Sequence, residues 1–194
     1  MDVSELYQRY AAGERDFPGI DLSNANLNIA GSEDYEPGLN DLSGINLGGA
    51  NLERATIDYV NLSDANLQSA NLTGASLYEM KLIGADLSDA ILDYAEIAAD
   101  LTDAIVRGAS LECTRIVGAN FTRTDFTGAY FLGVHGEPPL EIWDTITPDG
   151  KICNGNDEFW SHPLPNLEKR RNNSKLKICY QKGNRNNTES AGEN

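Results

Sequence analysis

The side chains able to do chemistry are few, and their spacing does not join them. His135 and His162 are the only histidines in 194 residues. Neither belongs to an HExxH helix or a visible triad, so neither a zinc-hydrolase site nor a paired general base is indicated. Cys113, Cys153 and Cys179 are odd in number and far apart. Without a CxxC they point to no zinc site and no disulfide framework, and they read as isolated reduced thiols. No GxGxxG or phosphate-binding loop occurs. Carboxylates are plentiful, thirty Asp and Glu against fifteen Lys and Arg, for a net charge of -15. They recur at fixed positions of a repeat, where a solvated face explains them. The expectation is a chain that is not an enzyme, with no cofactor, metal or small-molecule substrate.

The charge is uneven. From residue 166 onward seven Lys and Arg meet three Glu, so the tail carries +4 and residues 1–165 carry -19. An acidic body repels nucleic acid and anionic membrane and attracts basic partners. No apolar run approaches the roughly 20 residues of a membrane span. The start, MDVSELYQRY, lacks the apolar core of a secretory signal, and a cytoplasmic location is expected.

The elements that carry these side chains follow from a repeat. Large aliphatic residues stand at every fifth position from Leu42 through Leu47, Leu52, Ile57, Leu62, Leu67, Leu72, Leu77, Leu82, Leu87 and Leu92 to Ile97. After a one-residue deletion the series resumes with Leu101, Val106, Leu111, Ile116, Phe121, Phe126 and Phe131; before it lie Leu22 and Leu27. Two residues ahead of each is a small one, usually Ala, and the residue between them is usually Asp, Asn or Ser. A helix repeats every 3.6 residues and a strand every 2, so neither keeps a period of five on one side. A chain that bends at regular short intervals does, each turn burying its apolar residues against the next: an all-β solenoid.

The runs ADLSD, ANLQS, ANLTG and GANLE match A(D/N)LXX, and from Ile20 to Phe131 the chain resembles the pentapeptide-repeat family. The start MDVSELYQRYAAGERDF is similar to cyanobacterial members. The resemblance implies a right-handed quadrilateral β-helix, four pentads to a coil, with the central residue and the preceding Ala inward. About five coils are then expected, forming a column about 25 Å long at the strand spacing. Ile20, Val60 and Met80, bulky at the small position, fall at multiples of 20 and suggest one side with larger inner residues.

Four regions follow. Residues 1–16 hold an N-terminal capping helix, with Val3, Leu6, Tyr7 and Tyr10 as its apolar stripe, Asp2 as its cap and Gly13 at its end. Residues 17–131 form the β-helix, with an insertion at 28–40 that keeps the pentad phase. Residues 132–165 form a C-terminal hairpin with a Pro-Asp-Gly turn in EIWDTITPDGKICNG, where Trp143 and Trp160 could cover the open edge. Residues 166–194 are a disordered basic tail. The deletion between Ile97 and Leu101 should distort the column locally.

Three places could make contacts. Glu33, Asp34, Tyr35 and Glu36 sit in the insertion, which is either a contact loop or a tolerated extra. Tyr59 and Tyr78 lie one coil apart and form a candidate aromatic patch. Asp86 and Asp89 belong to an acidic stretch, Glu79 to Asp103, read either as solubilising charge or as a field for a basic partner. The function expected is a protein-interaction scaffold with an unidentified protein partner. The alternative, implied by the resemblance, is an acidic DNA mimic that inhibits DNA gyrase. A core stacked with Leu and Phe leaves no room for a ligand, and the basic tail is a candidate tether to lipid or nucleic acid.

Overall fold

The computed structural model describes residues 1–29, 40–136 and 141–155. The insertion residues Glu33, Asp34, Tyr35 and Glu36, together with Trp160, His162 and the basic tail, lie outside them.

Each pentad bends in the same way. The carbonyl of the central Leu accepts the amide three residues on, as from Ala25 to Leu22, Ala50 to Leu47 and Ala75 to Leu72, at 3.1, 2.9 and 3.0 Å. The second residue after the Leu takes positive φ, 67° at Gly49 and 57° at Ser69. That is the third position of a type II turn. The Asn or Asp before the Leu completes the turn. Its side-chain oxygen accepts the amide two residues on, as from Glu53 to Asn51, Gln68 to Asn66 and Ser88 to Asp86. Where that residue is Ser, an acid one circuit earlier substitutes. Asp58 accepts from Ser76 Oγ and the Tyr78 amide, and Asp93 from Ser110 Oγ and the Glu112 amide.

The bent pentads return to register about every 20 residues and pair in parallel. Four ladders result. The first joins Asp16, Asn46, Asn66, Asp86, Ile105, Asp125 and Ile146. The second runs from Asp21 to Tyr130, the third from Asn26 to His135, and the fourth from Asp41 to Glu141. Only parts are long enough to count as strands. In the third ladder β1 (Ser76–Lys81), β2 (Glu96–Asp100), β3 (Arg115–Ile116) and β4 (His135–Gly136) form one parallel sheet. Asn amides stack along the ladders, Asn66 on Asn46 and Asn46 on Asp16, at 3.0 and 3.1 Å. The pairing continues past Phe131 to Glu141 and Ile146, so the first ladder has seven rungs. Its six steps span about 29 Å at the strand spacing.

Departures from 20 mark insertions and deletions. Asp16 pairs with Asn46, a step of 30, because ten residues are added between Ile29 and Asn40. This moves Ile20 out of line with Val60 and Met80. Its carbonyl accepts from Asn51 in the second ladder, whereas Asn40, Val60 and Met80 precede fourth-ladder residues. The grouping by multiples of 20 therefore fails for Ile20. The deletion is absorbed at one corner as a bulge. Tyr78 pairs with Ala98 and Lys81 with Asp100, so Glu79 and Met80 face Ala99 alone. Below it the 20-residue step resumes, Asp100 to Asn120.

The interior is a stack of buried side chains that includes Leu22, Leu27, Leu47, Leu52, Leu62, Leu67, Leu72, Leu77, Leu82, Leu87 and Leu111. Phe121, Phe126 and Phe131 meet edge to face, with ring centres 4.9 and 5.1 Å apart. Thr114, Thr124 and Thr145, at small positions, are fully buried, and each hydroxyl donates to a carbonyl of the circuit before. At the N-terminal end α1 (Val3–Ala11) is capped by Asp2, which accepts the Glu5 amide. Leu6 is fully buried, and the hydroxyls of Tyr7 and Tyr10 donate to Leu27 and Ser43 carbonyls. At the other end β5 (Thr145–Ile146) pairs antiparallel with β6 (Ile152–Cys153).

The cysteines correct the reading of three reduced thiols. Cys113 is disulfide-bonded, while Cys153 is buried and its Sγ donates to the Gly155 carbonyl.

Candidate interaction surface

The corner that leads from the third ladder to the fourth carries one of the three candidate places, Tyr59 and Tyr78, and Ile29 and Asn40, which flank the insertion, meet there. These flanking residues are tied to one another: the Ile29 amide donates to Asn40 Oδ1 at 3.0 Å, and Asn40 Nδ2 to Asn28 Oδ1 at 2.8 Å. The register sets Ile29 over Tyr59, because Asn26 pairs with Thr56.

Tyr59 occupies the left-handed corner position, with φ 62°. Its amide donates to the Tyr78 carbonyl, and the two rings meet edge to face at 5.9 Å. Desolvation, followed by the neighbours Tyr78, Glu79 and Asp58, pushes the Tyr59 phenol up. Tyr59 is half-buried rather than exposed; Tyr78 is 42% exposed. Below Tyr78 come Ala98 and then Val117, both half-buried. Ile29 and Tyr59 thus share one column and Tyr78, Ala98 and Val117 the next; the edge-to-face ring contact joins the two columns, with Asp58 and Glu79 beside it. The upper end of the first column meets an open groove of about 480 Å³ beside α1, lined by Val3, Tyr7, Ala11 and Ile29 among others.

Asp86 and Asp89 stand elsewhere, on the first ladder and its corner, two ladders from the tyrosines in either direction. Asp86 accepts from Gln68 Nε2 and the Ser88 amide. Burial pushes its carboxyl up, but the bonds from Ser88 and Gln68 and the nearby Arg107 outweigh this and hold it low. Asp89 is exposed. The rest of the acidic stretch is divided among ladders, and Asp93, Glu96 and Asp103 are engaged with neighbouring circuits. Glu96 pairs with Arg115, Asp103 takes a two-pronged bond from Arg123, and Asp93 holds the Glu112 amide.

The arrangement can bury apolar surface and offer phenol hydroxyls. His135 is exposed, and its ring Nδ1 lies 3.3 Å from the Gly133 carbonyl. Among the described residues no three His, Cys, Asp or Glu gather as a metal would require, and no helix is long and apolar enough to cross a membrane. Sequence reasoning paired Tyr59 with Tyr78 but missed the columns they belong to. Writing the pentads in rows of four, with the ten added residues set aside, would have brought Ile29, Tyr59, Tyr78, Ala98 and Val117 into neighbouring columns.

Comparison with known proteins places this surface on a familiar framework. A family model for pentapeptide repeats matches residues 41–74, 70–98 and 97–133, in eight copies. A pentapeptide repeat protein of the Arabidopsis thaliana thylakoid lumen is 34% identical over 56% of this chain and 77% of its own, with TM-score 0.48. One from Nostoc PCC 7120 is 30% identical, covering 70% and 96%, with TM-score 0.25. One from the cyanobacterium Cyanothece 51142 is 24% identical, covering 69% and 94%, with TM-score 0.33. No curated protein matches.

Proposed function

Since the chain belongs to the pentapeptide-repeat family, we propose that its ladders wind as a right-handed quadrilateral β-helix serving as a non-enzymatic scaffold. One protein partner docks along the corner between the third and fourth ladders. The observation that carries this reading is the edge-to-face pair of Tyr59 and Tyr78, with Ile29 above Tyr59 and Ala98 and Val117 below Tyr78. Tyrosines at a surface are efficient contact residues because a large rigid ring is buried at little entropic cost. The acids are less suited to the role. Those that bind Arg or turn amides are already engaged, and the stretch divides among separate ladders. This weakens the DNA-mimic alternative, which rests on net charge.

The test is affinity capture with the full chain, the double variant Tyr59→Ala/Tyr78→Ala, and the double variant Asp86→Asn/Asp89→Asn. The expected result is a partner retained by the Asp variant and lost, at least tenfold, by the Tyr variant. Equal capture by the Tyr variant would overturn the docking site. Inhibition of gyrase supercoiling at micromolar protein, abolished by the Asp variant, would establish the alternative instead.

A further inference from the structure

The tyrosines and their acidic neighbours form a two-by-two array. Thr56 pairs with Ser76, which sets Asp58 over Tyr78 and Tyr59 over Glu79. Rings occupy one diagonal and carboxylates the other, so each ring has a carboxylate beside it and another above or below. Contacts hold the array in place. The rings meet edge to face with centres 5.9 Å apart, and Asp58 Oδ1 accepts the Tyr78 amide at 2.9 Å and Ser76 Oγ at 2.6 Å. Tyr78 and Glu79 are exposed; Asp58 and Tyr59 are half-buried. Asp58 and Glu79 belong to none of the ion pairs among the described residues. The chain itself shows what a ring beside a carboxylate binds. At the N-terminal end the Arg9 guanidinium lies over the Phe17 ring, 5.2 Å from its centre, and bonds Glu14 through two nitrogens. Arg15 lies over the Tyr10 ring at 3.7 Å.

We propose, given docking at this corner, that the partner is held through an arginine side chain, its guanidinium over the Tyr78 ring and its N–H groups donating to Glu79, with Asp58 adding its charge. A guanidinium suits the array because one plane does both tasks: its face stacks on the ring and its edge forks onto a carboxylate. A lysine ammonium is a point charge without that plane. The field around the array favours a cation as well. Asp41 and Asp100 lie in the adjoining fourth ladder, where Lys81 offsets part of their charge. An acidic surface of this kind draws a basic partner in before contact is made.

The test selects a displayed library of random dodecapeptides on the immobilised full chain, after depletion on the variant Tyr59→Ala/Tyr78→Ala. Enriched peptides are then synthesised and titrated. The expected result is an arginine common to the enriched peptides. Replacing it by citrulline, which keeps the shape and loses the charge, should weaken binding about tenfold. Glu79→Gln should weaken the arginine peptides about three- to tenfold and leave their citrulline forms unchanged. That substitution alters one exposed side chain, and circular dichroism should match the wild type. Peptides that need the tyrosines but carry lysine or no cation, or that bind equally after the citrulline exchange or to Glu79→Gln, would overturn the arginine and leave the docking corner standing. A selection in which no peptide separates the wild type from the Tyr variant would overturn both.

Discussion

The left-handed corner is where single residues matter most. An L-residue with a side chain pays about 1–2 kcal/mol in this conformation, and Gly pays none of it. The column uses both types. Gly49 and Ser69 are successive corners of one ladder, with φ of 67° and 57°. A Cβ on Gly49 would meet no atom within 4 Å, so a substitution there reports conformation alone. Gly49→Ala should therefore cost about 1 kcal/mol, and Ser69→Gly should stabilise by about 0.5 kcal/mol once the entropy of the unfolded Gly is counted. Urea titration checks both. A neutral Gly49→Ala would mean that the corner relaxes. None of this was visible beforehand, because Tyr59, Cys113 and Arg123 are residues that a turn rule would not assign to positive φ. They hold it because the turn bond and the ladders on both sides over-determine the corner.

An element is a ladder, and its electrostatics can be tested as a unit. In the first ladder Arg107 lies between two acids. It pairs with Asp125 at 2.6 Å and acts on Asp86 through its charge. Burial pushes the Asp125 carboxyl up, but the Thr127 hydroxyl and amide and the Arg107 guanidinium outweigh it and hold the carboxyl below its usual range. A folded-state pKa below the unfolded value gives stability that is present above the unfolded value, near pH 4, and lost as pH falls through the folded one. Asp125→Asn keeps an oxygen for the Thr127 turn but loses the ion pair, whose Arg end is largely exposed. The expected cost at pH 7 is about 0.5–1 kcal/mol. The gap in melting temperature between the two proteins should close as pH falls from 5 to 2. A gap that stays constant would show that packing, not charge, is the cause. The element scale is also where the sequence was most and least legible. The period of five is set by a repeated bond from the residue after the turn to the central Leu carbonyl, so Leu47, Leu52 and Leu62 announce themselves. Which pentads stack depends on counting through an insertion that preserves phase, and that misplaced Ile20. Ile29 and Asn40, separated by the ten added residues, come together beside the tyrosines only after folding, and pairing among three cysteines cannot be deduced from spacing.

At the scale of the whole molecule the stack is nearly one-dimensional. Each circuit pairs only with the circuit above and the circuit below, so local stability sums over neighbours. A circuit in the middle, such as that containing Asn61 to Tyr78, has ladder partners on both sides. The first has one ladder neighbour plus α1, whose Leu6 and tyrosine hydroxyls close that end. Amide exchange should therefore be slowest from about Asn61 to Ile97 and quicken toward both ends. A lesion separates this from a single cooperative unit. Leu72 is 1% exposed, and Leu72→Ala should cost about 2–5 kcal/mol. In a nearest-neighbour stack that loss accelerates exchange most in the circuits containing Leu52, Leu72 and Leu92, and much less at Phe126, two circuits beyond Ile91. Exchange measured by mass spectrometry on wild type and Leu72→Ala decides the matter. An equal acceleration everywhere would mean that the column opens only as a whole. The rigid surface offered to a partner would then be as stable at its ends as at its centre, and the corner columns from Ile29 to Val117 would be presented as one unit.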